Sequence, residues 1–203
     1  MMPCSMATFP VSEEIRIELY RPELTQKKCR RVAKTDDFAG LVEEMVRLMR
    51  RRGAAGLAAP QVGVYVRLAV AESAGVVNVL VNPEIENLRG RDLLEAEGCL
   101  SLPPYREATA RVWRSEIAFV KNATLENPDC GQVEEWRGNA ARIVQHEIDH
   151  LDGVFFIDHC GAVGREIVLR RYKKYLEKRQ LEMGLQLLGR SLGADQKVSG
   201  LAG

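Results

Sequence analysis

With 203 residues, 46% of them hydrophobic, the chain is of a size that folds as one domain whose core needs no staples. Lys and Arg number 29 against 28 Asp and Glu, and a net charge of +1 argues against a charge-driven nucleic-acid surface, DNA included. The five cysteines (Cys4, Cys29, Cys99, Cys130, Cys160) are odd in number and scattered, which argues against a disulfide framework and for reduced thiols in the cytoplasm.

Residues 1–14 read as a short flexible extension; Met1 to Pro10 has neither the basic region nor the apolar stretch of a secretory signal. No segment approaches the roughly 18 apolar residues that a membrane span needs. Asp36 to Arg52 is predicted to be an amphipathic helix. Asp36 or Asp37 can cap it, Phe38, Leu41, Val42, Met45, Val46 and Met49 form its apolar stripe, and Gly53 ends it. Gly53 to Gly63 is then a loop of small residues suited to close backbone approach. Its one polar side chain, Gln61, carries an amide that can donate to a developing oxyanion. No Gly-Lys-Ser/Thr follows, so this is not a phosphate loop.

Tyr65–Val70 and Val76–Val81 read as strands, as do Ala110–Trp113 and Ile117–Lys121. Between these pairs lies Glu97-Gly98-Cys99-Leu100-Ser101. Cys99 alone would be read as a small buried apolar residue. Asn127 to Gly131 is a turn between strands, and Cys130 in it is a bystander. Asn139 to Asp152 is a second helix, with Asn139 as its N-cap, apolar residues at helical spacing and Gly153 as its stop.

That helix carries Gln145-His146-Glu147-Ile148-Asp149-His150. Two histidines four residues apart share one helix face and can reach one metal ion, and Glu147 is placed to handle the proton of an attacking water. A third ligand is needed. The residue six beyond His150, where many zinc proteases place it, is Phe156, and His159 is wrongly spaced. Glu166 is a weak candidate. Cys99 is the better one, because a thiolate is a strong ligand for a borderline-soft divalent ion. Gly164 to about Leu188 reads as a helix with a basic face (Arg165, Arg170, Arg171, Lys173, Lys174, Lys178, Arg179), the ordinary pattern of a solvated surface helix. Residues 189–203, with Gly193, Gly200 and Gly203, read as a flexible tail.

Gly-Leu-Ala-Ala-Pro-Gln at 56–61, Glu-Gly-Cys-Leu-Ser at 97–101 and Gln-His-Glu-Ile-Asp-His-Leu-Asp-Gly at 145–153, in this order, resemble the three motifs of the peptide deformylases. The likeness spans about residues 15 to 175. Ile17 to Ala33, with Arg21-Pro22-Glu23-Leu24, resembles the family's early strand and turn, and Val81 to Ile85 its segment before the cysteine motif. The resemblance implies an α+β fold, mainly antiparallel sheets around a central metal-binding helix, with a C-terminal helix. Residues 15–188 would be a single catalytic domain.

It further implies that Cys99, His146 and His150 bind one divalent ion, typically Fe2+, with Zn2+, Ni2+ or Co2+ able to substitute. Glu147 would be general base and then acid. Gln61 and the Leu100 backbone N–H would stabilise the oxyanion. Ala55, Gly56, Glu97 and Arg106 would bind substrate, and Arg111 would pair with Glu97. The reaction would remove the N-formyl group from the first methionine of nascent polypeptides, and the basic C-terminal helix would be a ribosome contact.

Three features depart from the family pattern, the first being that Met1 to Glu14 has no clear counterpart in it. Ala54 stands where a glycine is usual, a strain if that position needs a positive φ. Glu95, Asn139 and Arg142 fall at positions of an apolar side-chain pocket. Two other readings stay open: a metallopeptidase that cuts internal peptide bonds, and a non-catalytic homologue that binds N-termini or ribosomes.

Overall fold

A computed structural model describes residues 15–22, 27–104 and 106–198. The expected extension at 1–14, and the Glu23-Leu24 part of the early turn, lie outside the described residues. The elements in chain order are α1 (Ala39–Arg52), β1 (Gly56–Ala58), a 3-10 turn at Ala59–Val62, β2 (Leu68–Ser73), β3 (Val76–Glu97), β4 (Ala110–Ala123), β5 (Gln132–Arg137), α2 (Asn139–Asp152), a 3-10 turn at Phe156–His159 and α3 (Ala162–Val198). The five strands form one antiparallel sheet in the order β1-β2-β3-β4-β5, so each strand pairs with its neighbour in sequence. The architecture is α+β.

Strand alternation explains why β1 and β2 are buried on both faces. Leu57, Leu68, Val70 and Val81 face one way and pack with Leu41, Met45, Leu48 and Met49 of α1. Ala58, Ala69, Ala71 and Leu80 face the other way and pack with Ala141, Val144, Ile148 and Leu151 of α2. Large side chains meet α1, whereas mostly alanines meet α2, so α2 can lie close to the sheet. Each fully buried Leu or Met of α1 contributes about 1.5–3 kcal/mol. A third cluster, with Tyr20, Leu102, Phe155, Phe156, Ile157, Val168 and Tyr172, joins α3 to the 3-10 turn that follows α2.

Several boundaries differ from the sequence reading. α1 begins at Ala39, with Phe38 in the cap position and no side-chain cap; Asp37 Oδ1 accepts from Ala39 N–H at 3.2 Å. Asp36 instead closes the preceding turn through Ala33 N–H and pairs with Arg30. Gly138, with φ 56° and ψ −128°, takes the N-cap position of α2, and Asn139 is its first residue. Gly53 and Gly153 end their helices in the left-handed conformation, as expected. Ala54 is not among the residues with positive φ; Gly53 carries that conformation at 62°, so the alanine is unstrained.

The strand expected at Val76–Val81 is the first part of the 22-residue β3. It passes Pro83 because the register shifts between Val81 and Glu84, where a proline costs no ladder hydrogen bond. Asn82 holds this bend at φ 49°, its side chain bonded to Val32 N–H, Val32 C=O and Pro128 C=O. The two short strands expected after Cys99 are likewise the single strand β4. α3 runs through Gly189 and Gly193 to Val198, beyond the end expected at Leu188. A helix-interior glycine costs about 1 kcal/mol relative to alanine but does not forbid the helix.

Candidate metal centre

α2 presents His146, Glu147 and His150 to the end of β1 and to the bend after β3. Cys99 Sγ lies 3.3 Å from His150 Nε2, and the ligand atoms of Cys99, His146 and His150 all lie within 4.8 Å of one another. Four-coordinate ligands at about 2.0–2.3 Å from an ion require mutual separations of this order. Among the described residues these three form the only such group, and Glu166 is not part of it. A thiolate and two imidazoles suit iron(II), zinc, cobalt or nickel.

The ligands are held from behind. His146 Nδ1 lies 3.0 Å from Glu97 Oε2, which leaves its other nitrogen for a cation. Arg114 grips Glu97 with two hydrogen bonds, of 2.9 Å to Oε1 and 3.1 Å to Oε2, and reaches Asp149 Oδ2 at 2.6 Å. Asp149 Oδ2 also lies 2.8 Å from His159 Nε2. Burial would raise the Glu97 carboxyl, but the hydrogen bonds from His146 and Arg114 outweigh it and bring it down to about 2. Burial, and then the neighbouring His146, hold His150 well below the usual imidazole range, in the neutral form that ligates metals.

The arginine on Glu97 is thus Arg114, not Arg111. β4 alternates, with Val112 and Arg114 buried and Arg111 and Trp113 exposed. The signal was available in the sequence: inward-facing Val112 puts Arg114, two residues on, on the same face. Asp149 was missed as well. Its place inside the motif hid its separate contact with Arg114.

Glu147 occupies the wall of a cavity of about 210 Å3 that is also lined by Ala55, Gly56, Gln61, Glu97, Cys99, Leu100 and His146. Its Oε2 is buried with no protein hydrogen-bond partner. Burial is the main reason its carboxyl is pushed up to about 7, partly offset by His146. A cation beside it would pull that value back down. Gly56 is required here: a Cβ on it would sit 2.2 Å from Glu147 Oε1 and 2.7 Å from its Cδ.

The 3-10 turn at Ala59–Val62 aims Gln61. Its Oε1 accepts from Ala58 N–H at 2.8 Å, which turns Nε2 towards Cys99 Sγ at 3.3 Å and Ser101 Oγ at 3.5 Å. Of the sequence candidates, the structure gathers Ala55, Gly56, Gln61, Glu97, Cys99, Leu100, His146 and Glu147 around one cavity, with His150 directly beneath. Glu97 is there with both oxygens engaged. Arg106 does not line the cavity; it is exposed, and its Nη2 lies 3.8 Å from where a Cβ on Gly53 would be, at the rim. Of the polar trio expected in the side-chain pocket, only Arg142 lines it. Glu95 holds that guanidinium at 2.6 Å and Asn139 at 2.8 Å.

The family model described as polypeptide deformylase matches residues 15–166. A peptide deformylase of Thermodesulfovibrio yellowstonii is 36% identical over 165 residues, 78% of this chain and 96% of that protein. One of Acidobacterium capsulatum is 42% identical over 146 residues, 68% of this chain and 81% of that protein. A crystal structure of a peptide deformylase from Legionella pneumophila superposes with a TM-score of 0.74 at 31% identity, covering 83% of this chain and 98% of that one.

Proposed function

The chain belongs to the polypeptide deformylase family and removes the N-formyl group from newly made polypeptides, and from that premise we propose a role for each residue of the site. Cys99, His146 and His150 hold one divalent ion, iron(II) in the native enzyme, with zinc, nickel or cobalt able to substitute. The ion supplies Lewis acidity, which makes water a nucleophile near neutral pH. Glu147 takes a proton from the water that adds to the formyl carbon. The Gln61 amide and the Leu100 N–H donate to the formyl oxygen as charge develops there, each donor worth about 2.7–4 kcal/mol of transition-state stabilisation. As the C–N bond breaks, Glu147 delivers the proton to the departing amine, and formate leaves. Glu97 acts on the reaction through His146 rather than on the substrate.

The first side chain of the substrate, methionine, enters between Gly56, Ala96, Ile143 and the aliphatic stem of Arg142. With its guanidinium tied to Glu95, Asn139 and the Ala96 carbonyl, Arg142 offers that stem as an apolar wall. The backbone at Ala55 and Gly56 and the Arg106 side chain contact the peptide. The enzyme works in the cytoplasm. The free thiols of Cys29, Cys99, Cys130 and Cys160 suit a reducing compartment, and among the described residues no helix is long and apolar enough to cross a membrane. Arg170 and Lys173 of α3, both exposed, serve as ribosome contacts through RNA phosphates.

One observation carries the catalytic reading: a buried carboxyl oxygen with no protein partner, in the wall of the cavity where the Cys99 sulfur and the His146 imidazole converge. The test is formate release from formyl-Met-Ala-Ser by anaerobically purified protein, with metal analysis on the same sample. Turnover with about one iron per chain is expected. Bound metal with no formate, or cleavage of unformylated peptides, would overturn the reading. Gly56→Ala should keep the fold and the metal but lower kcat about 10²-fold, because it moves the Glu147 carboxyl by about 1 Å. Unchanged kcat would show that the contact with Gly56 does not position the base.

A further inference from the structure

We propose that a basic trough leading away from the metal centre receives the downstream part of the formylated polypeptide and favours acidic side chains there. The inference rests on the deformylase reading. Its substrate is a polypeptide, so whatever follows the first residues must leave the cavity past the rim. Leu100 is a wall of the catalytic cavity and also of an adjoining depression of about 390 Å3. Beyond Leu100 that depression is bounded by Arg16, Arg52, Pro104, Tyr175 and Arg179. Pro104 and Tyr175 are also walls of a further depression that adds Arg171, Lys174 and Lys178. The three spaces therefore adjoin one another, from the reacting end outward.

The charge along this path is one-sided. Six Lys or Arg residues line the two outer depressions, against the carboxylate of Glu107, with Glu182 pairing with Lys178 at 3.8 Å at their edge. For a chain whose overall net charge is +1, that is a local concentration of positive charge. α3 supplies four of the six. Arg171, Lys174 and Lys178 fall at helical spacing on one side, with Tyr175 between them and Arg179 beside them. Arg170 lies one turn before Lys174 on the same side of the helix, and Lys173 lies farther round it, so the proposed ribosome contact borders this edge. Lys174 and Arg179 are exposed, and among the described residues no carboxylate lies within ion-pair distance of either one. An extended peptide with Asp or Glu a few residues beyond its formyl-methionine would place carboxylates beside them. Each such exposed pair is weak and screened by salt, so the preference is graded rather than absolute.

The test compares kcat/KM for two formyl-Met-Ala-Ser peptides, one extended by a Gly-Asp-Glu-Asp-Glu segment and one by Gly-Lys-Arg-Lys-Arg. The acidic peptide should be preferred roughly five-fold at low salt, the summed effect of a few exposed pairs. The preference should vanish at about 0.5 M salt, and it should reverse in the Lys174→Glu/Arg179→Glu variant. Unextended formyl-Met-Ala-Ser should be turned over equally by both proteins. Equal kcat/KM for the two extended peptides in the wild type, with the tripeptide still turned over, would overturn the proposal. Equal values together with loss of RNA-hairpin binding in the double variant would overturn it in favour of a nucleic-acid face. No turnover of the tripeptide would remove the deformylase reading itself, and this inference with it.

Discussion

Glu147→Gln lowers kcat by about 10²–10⁴-fold, the range for a positioned general acid–base group, while metal content stays unchanged. Glutamine keeps the shape of the side chain against Gly56 and its place in the cavity wall, but it cannot accept or return a proton. The three proposed ligands are untouched, so metal analysis separates a lost base from a lost ion. The pH profile gives a second readout. Burial pushes the Glu147 carboxyl up to about 7, and the positive charge of a bound ion pulls it back, so the acid limb of kcat/KM in the wild type should fall below pH 7. That limb should be missing from the residual activity of the variant. Wild-type turnover by the glutamine variant would remove Glu147 from the chemistry and leave the ion and Gln61 to carry it.

Arg114→Met destabilises the protein by about 3–5 kcal/mol, the usual cost of removing one partner from a buried ion pair. The side chains of Arg114 and Glu97 are 6% and 5% exposed, so water cannot replace the guanidinium. For a domain of this size the loss corresponds to a fall of roughly 10 °C in Tm. Metal affinity should also drop, by about 10–100-fold, because Glu97 would no longer be held against His146. Urea unfolding and metal titration measure the two effects separately. Adding Glu97→Gln should recover part of the stability, since the stranded carboxylate is then gone.

The pH dependence follows from the depressed value of Glu97. In the wild type its ionisation contributes stability that is fully present above about pH 4.5 and is lost as the pH falls towards about 2. Without Arg114 the carboxyl titrates higher, so less is lost over that window and the gap between variant and wild type narrows in acid. A variant within 1 kcal/mol of wild type, with unchanged metal affinity, would show that the pair is not structural.

The candidate metal centre was largely legible in the sequence because its chemistry is local. His146, Glu147 and His150 lie within one helical turn or so of each other, and a spacing of four residues has only one geometric meaning on a helix. Gly53 and Gly153 were equally plain as helix stops, since few other residues adopt their backbone conformation cheaply. Cys99 as third ligand was a choice of chemistry, a strong thiolate ligand where no histidine or carboxylate was well spaced, and the family resemblance then supported it, because no spacing rule links a bend after a strand to a helix well beyond it. The sequence read as several short strands where β3 and β4 are long. Pro83 and the polar residues of the hairpin are strand breakers only when no bulge accommodates them, and the bulge is set by pairing across the sheet.

By itself, then, the sequence determined the helices, the polarity of their faces and the residue types of the catalytic set, because each depends on neighbours within a few positions along the chain. Only the tertiary structure decided that Arg114 rather than Arg111 meets Glu97, that Asp149 closes that network, that Gly56 is the seat of the Glu147 carboxyl, and that the catalytic cavity adjoins a basic trough through Leu100. These depend on which strand faces which helix and on the angle at which they meet. Contacts of that kind join residues far apart in the chain, and their geometry is settled by packing of the whole domain.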